Sequence, residues 1–250
     1  MNKEYAVRKL VAVGFSFVAA VNLASATTVQ YTYTGETGGG VVMGIHTADY
    51  SGGALVGQFI MTTSNPNFQS TLLTYCTDVG ATLNSPYSYT PTPLSSANGV
   101  DPAWISGGIQ NVANLWYNDN ASATTAVQTA GLQLAIWELL YNNITGSVSA
   151  SIFNSHSNNG FYITSTDANT LAAENYAAAL LSNLGSLAPE QNVEWLAPTE
   201  SNGSLGGSQG LLYETPGPST PSVPETAPTL GLLGLAMTLL GAVAKRIRKA

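Results

Sequence analysis

Cys76 and Gln133 are the residues whose types and setting can do chemistry. Cys76 is the only cysteine, so it has no disulfide partner within the chain. It is either a small buried hydrophobe or a thiol kept for reaction. Gln133 lies in Gly131 to Leu140 (GLQLAIWELL), apolar nearly all round with Glu138 its only charge. Helical spacing puts Ala126, Ala130, Gln133, Trp137 and Leu140 on one face, so an amide sits in an apolar stripe. A buried amide without partners costs about 1 to 3 kcal/mol, so something must satisfy it. A backbone group nearby would do, as for most buried glutamines. Alternatively the Cys76 thiolate attacks the Gln133 side-chain carbonyl, expels ammonia and leaves an acyl-sulfur bond. Amides are poor electrophiles, so the fold must hold the two groups together and polarise the carbonyl, with backbone N–H groups or Tyr75 as candidate donors.

Other chemistry is thin. His46 or His156 would have to serve a Cys76 hydrolase, and neither lies in a recognisable motif. Two histidines and one cysteine, widely spaced, make a poor zinc set, and no metal or cofactor site is expected. Asp49, Asp78, Asp101 and Asp119 lack the spacing of a calcium loop and read as solvated or capping residues. Trp104, Trp116 and Trp137 read as core.

Alternation predicts strands at residues 29–34, 41–45, 54–62 and 72–77, the last with Leu72, Thr74 and Cys76 on one face. Residues 85–98 read as a loop. Helices follow: one capped by Asp101 and running to Tyr117, one over 124–141, one capped by Asp167 and running to Leu184. Short strands return at 193–196 and 210–213. The order predicts an α+β domain of sandwich- or barrel-like strands with a helical insertion.

Tyr75-Cys76-Thr77-Asp78 on a strand, followed by Leu132-Gln133-Leu134-Ala135-Ile136-Trp137 on a helix, resembles the thioester domains of bacterial surface adhesins, also called TQXA domains. The resemblance implies a Cys76–Gln133 thioester supported by Tyr75 and Trp137. It would capture a nucleophile covalently in a single turnover, so the chain would be an adhesin and not an enzyme.

Every lysine and arginine lies at an end: Lys3, Arg8 and Lys9, then Lys245, Arg246, Arg248 and Lys249. Each cluster abuts an apolar run, the pattern of a chain handled by a membrane at both ends. Residues 1–26 read as a signal peptide closing on Ala24-Ser25-Ala26, residues 27–215 as the exported domain and 216–229 as a proline-rich linker. Residues 230–244 read as a membrane helix and 245–250 as a basic cytoplasmic tail. Val223-Pro224-Glu225-Thr226, the apolar helix and the basic cluster in that order resemble the PEP-CTERM sorting signal of Gram-negative bacteria. That resemblance implies processing by an exosortase after signal peptidase, and delivery to the cell surface or a polysaccharide matrix. Between the ends the chain is acidic without a lysine or arginine, which disfavours nucleic acid as a partner. It also leaves no lysine to attack a thioester from within. The expected partner is an amine- or hydroxyl-bearing surface ligand or an extracellular polysaccharide. The second reading is a non-covalent structural protein of a biofilm or exopolysaccharide.

Overall fold

A computed structural model of the chain describes residues 27–47, 50–97, 108–142, 144, 146–154, 161–187, 193–199 and 206–214. The expected signal peptide, the Val223-to-Thr226 motif, the apolar C-terminal stretch and the basic tail lie outside these residues, as do Asp49, Asp101, Trp104 and His156. Among the described residues no helix is long and apolar enough to cross a membrane.

Among the described residues, nine strands and three α-helices form the fold: β1 (Val29–Glu36), β2 (Val41–His46), β3 (Ser51–Val56), β4 (Phe59–Thr62), β5 (Thr71–Cys76), β6 (Tyr87–Pro93), α1 (Gly108–Asp119), α2 (Ala126–Tyr141), β7 (Tyr162–Ile163), α3 (Ala168–Asn183), β8 (Val193–Pro198) and β9 (Leu211–Glu214). Six strands close a barrel in the order β1-β4-β5-β9-β8-β6, and β3-β2-β7 make a separate sheet. The mixed class and the helical insertion expected from sequence are present: all three helices fall between β6 and β8.

Alternation decides which side chains face the barrel interior. In β1, Val29 and Tyr31 are buried while Gln30 and Thr32 are exposed. Carrying that face across the register (Val29↔Tyr89, Tyr33↔Met61, Met61↔Leu72, Cys76↔Leu211) puts Tyr89, Met61, Leu72, Thr74, Cys76 and Leu211 inside. Cys76 therefore points inward from the last position of β5. Tyr75 and Leu73 occupy the outer face. Leu73 is exposed, whereas Tyr75 is fully covered.

The helices are placed by their caps and by a glycine at a crossing. Thr125 closes a capping box with Gln128 at the start of α2, and Asp167 accepts from Asn169 and Thr170 N–H at the start of α3. A Cβ at Gly131 would lie 2.7 Å from the Ala173 carbonyl oxygen, so α2 and α3 approach more closely than any larger residue permits. From Thr129 to Tyr141 every residue of α2 is buried.

Two expectations fail locally, and one strand has no counterpart among them. The single strand expected over 54–62 is two, β3 and β4, in different sheets. The break is at Gly57, where a Cβ would stand 3.1 Å from Gly40 Cα, and Thr37 N–H binds the Gln58 carbonyl at 2.9 Å. The loop expected over 85–98 contains β6. Its prolines, Pro91 and Pro93, lie in the half paired only with β8, beyond the reach of β1, where a missing N–H breaks no second ladder. The two-residue β7 is too short to show a period.

Candidate functional site

The site forms where β5 and β9 leave the barrel. Tyr75 pairs with Leu212 and Cys76 with Leu211, and the ladder continues as Thr77 N–H donates to the Gly210 carbonyl at 2.9 Å. Antiparallel partners alternate between hydrogen-bonded and non-bonded pairs, so Cys76 and Leu211 form a non-bonded pair. The Cys76 N–H and C=O consequently point away from β9, toward the β4 side. There the ladder has already stopped, at Phe59↔Thr74.

Gln133 fills that gap. Cys76 N–H donates to Gln133 Oε1 at 2.8 Å, and Gln133 Nε2 donates to the Cys76 carbonyl at 2.7 Å. One side-chain amide thus imitates a neighbouring strand for a single residue. Gln133 has no exposed surface, and both ends of its amide are occupied by the Cys76 backbone. The unsatisfied glutamine inferred from the apolar stripe is satisfied in this way.

The thiol itself meets a different glutamine. Cys76 Sγ lies 2.5 Å from Gln209 Oε1. A carbonyl bond is about 1.23 Å long, so the amide carbon of Gln209 lies within about 3.7 Å of the sulfur. That is close to the separation of a near-attack geometry, about 3 to 3.5 Å. The pairing follows from register: with Cys76 opposite Leu211, Gln209 is the diagonal neighbour on the same inward face. Gln209 Nε2 is held by the Asp78 carbonyl at 2.9 Å. The segment before β9 is fastened as well. Ser208 Oγ accepts from Asn84 N–H at 3.0 Å and meets Tyr89 Oη at 3.1 Å. Tyr87 Oη donates to the Gly206 carbonyl at 2.6 Å, and Asn84 Nδ2 donates to the Gly207 carbonyl.

Burial, and secondarily the Asp78 carboxylate, push the Cys76 thiol well above its ordinary pKa. The sulfur is a neutral thiol at neutral pH, not a preformed thiolate, and its proton must leave as it attacks. Cys76 is 1% exposed whereas Gln209 is half-buried, so solvent reaches the pair from the Gln209 side.

The sequence-derived site is therefore corrected in part. Gln133 comes to Cys76 as expected, but to its backbone and not its sulfur. Tyr75 lies on the strand face opposite Cys76. Its hydroxyl is buried without a partner, and burial, with Tyr176 beside it, raises its pKa far above that of a free tyrosine. It is not the donor to an acyl oxygen at Cys76. Trp137 packs edge-on against Phe161, ring centroids 5.9 Å apart, and steadies α2 within the core. His46 lies in the three-stranded sheet, stacked on Tyr162 at 4.7 Å, apart from the barrel that carries Cys76. Among the described residues no three His, Cys, Asp or Glu side chains converge as a metal would require.

Sequence reasoning missed Gln209. It sits in a Ser/Asn/Gly-rich run, Ser201 to Gly210, that reads as a turn. Only the pairing of β5 with β9 brings it to the cysteine. The chain matches no protein-family model, no curated protein and no solved structure.

Proposed function

We propose that this chain is an exported surface or matrix protein whose barrel carries an internal thioester between Cys76 and Gln209, used once to attach the protein covalently to a nucleophile-bearing partner. The observation that carries the proposal is the Cys76 Sγ to Gln209 Oε1 contact at 2.5 Å. In the reaction the Sγ–Cδ bond forms and the Cδ–Nε2 bond of Gln209 breaks. The thiol proton passes to the nitrogen, which departs as ammonia. A partner amine or hydroxyl later attacks the acyl carbon, the sulfur leaves, and the partner's proton returns to it. One chain makes one bond, so this is capture and not turnover catalysis. Gln133 acts as the clamp that fixes the end of β5 and aims the sulfur.

The sorting reading accompanies it. The terminal basic clusters and the Val223-to-Thr226 motif support export by signal peptidase and exosortase processing, transient anchoring in the inner membrane and release to the surface or matrix. The partner class stays that of an amine- or hydroxyl-bearing ligand or a polysaccharide.

The second reading, a non-covalent matrix component, is favoured by one observation. Burial holds the Cys76 thiol in its neutral form, a poor nucleophile toward an amide. Thiol titration in denaturant separates the two readings. The thioester predicts no titratable thiol in freshly unfolded wild-type protein and one per chain in Gln209→Ala. One thiol per chain in both would leave the non-covalent reading.

A further inference from the structure

The amide of Gln209 has two ends of almost equal size, and only one orientation reacts productively. With oxygen toward the sulfur, the carbonyl can take the thiol's hydrogen bond and nitrogen is free to leave on the other side. Reversed, the nitrogen would face the thiol and two oxygens would face each other across the site. The Asp78 carbonyl breaks this ambiguity, because at 2.9 Å from Nε2 it accepts an N–H and repels an oxygen.

What places that carbonyl is the side chain of the same residue. Asp78 Oδ1 accepts from Gly80 N–H at 2.8 Å and Ala81 N–H at 3.1 Å, an Asx-type turn that folds the chain back as β5 ends. Tyr141 on α2 braces the turn, its hydroxyl accepting from Val79 N–H at 3.2 Å and reaching Asp78 Oδ1 at 3.5 Å. We propose that Asp78 is a positioning residue of the Cys76–Gln209 reaction: its carboxylate folds the 78–81 turn so that its own carbonyl holds the Gln209 amide with oxygen toward the sulfur and the leaving nitrogen away from it. The inference rests on the thioester reading above. It assigns no proton transfer to the carboxylate, and the covalent step remains the exchange of C–N for C–S with loss of ammonia.

Re-formation of the bond gives the test. Concentrated ammonia opens the thioester of the full chain to the Gln209 amide and the free Cys76 thiol, the reverse of the forming step. After the ammonia is removed, intact mass follows closure over time. Asp78→Asn keeps an oxygen that accepts the same turn N–H groups and is expected to close within about twofold of wild type. Asp78→Ala loses the turn and is expected to close about tenfold more slowly, the effect of weakening one hydrogen bond in the reacting geometry. Asp78→Ser, whose hydroxyl can cap the same turn, replaces Asp78→Ala under the same criterion at about threefold slower closure should the alanine variant not fold. Closure of Asp78→Ala at the wild-type rate, or of Asp78→Asn as slowly as Asp78→Ala, overturns the assignment. Wild-type protein that never shows the mass deficit instead overturns the thioester reading on which it rests.

Discussion

Replacing Gln133 by alanine should cost stability rather than remove the acyl donor, and the size of the loss follows from the two hydrogen bonds it makes. Cys76 N–H and C=O both lose their partner, at 2.8 and 2.7 Å, in a place with no exposed surface for water to substitute. A buried backbone group left unpaired costs about 1 to 3 kcal/mol, so two together cost about 4 kcal/mol. For a domain of this size each kcal/mol lowers the melting temperature by about 2 to 4 °C, which predicts a fall of about 10 °C or more. With the end of β5 released, the sulfur is no longer aimed at Gln209 and thioester yield should fall as well. Denaturant and thermal unfolding measure the first effect and intact mass the second. A Gln133→Ala protein as stable as wild type that had lost the ammonia deficit outright would refute this reasoning. It would restore Gln133 as the acyl donor.

Gln209→Ala should differ in kind: the half-buried side chain bonds the Cys76 thiol and the Asp78 carbonyl, so unfolding should change by no more than about 1 to 2 kcal/mol while the ammonia deficit vanishes. Burial pushes Glu138 up to about 7 from 4.5, its Oε2 has no partner, and its Oε1 accepts from Asn142. The native state holds this proton where the unfolded chain has released it. Glu138's share of stability is therefore intact below about pH 4.5, falls as pH rises to about 7 and stays lost above, by about 3 kcal/mol in all. Glu138→Gln should accordingly be more stable than wild type at pH 8 and equal to it at pH 4.5, read by chemical denaturation at both. Gly131→Ala should cost about 1 to 3 kcal/mol or more, since its Cβ would meet the Ala173 backbone and force α2 from α3, and an unchanged melting temperature would contradict the crossing. Asn84→Lys puts an amine beside Gly207, at the rim of the site. It should give an amide crosslink to Gln209, seen as an ammonia deficit that methylamine does not reverse together with a free Cys76 thiol.

How much of this was legible in the sequence depends on the range of the interaction. The cap Asp167, the inward face of Leu72, Thr74 and Cys76, and the burial of Gln133 are local consequences of period and propensity. Gln133 was conspicuous because a polar residue interrupted an apolar helix. Gln209 was silent because glutamine in a Ser/Gly run is ordinary. Its meaning comes from strand register across more than a hundred residues, which no local pattern encodes. The same holds for the split between β3 and β4, decided by a close approach of Gly57 to Gly40. Tyr75 was assigned to the site through its neighbour in sequence, although strand alternation sends adjacent side chains to opposite faces.

The most direct measurement is the intact mass of freshly purified protein before and after methylamine, with peptide mapping of the product. The account predicts a mass short by one ammonia, methylamine incorporated at Gln209, and a Cys76 thiol newly open to alkylation. A full mass with a free thiol from the outset, or methylamine at Gln133 instead, would contradict it.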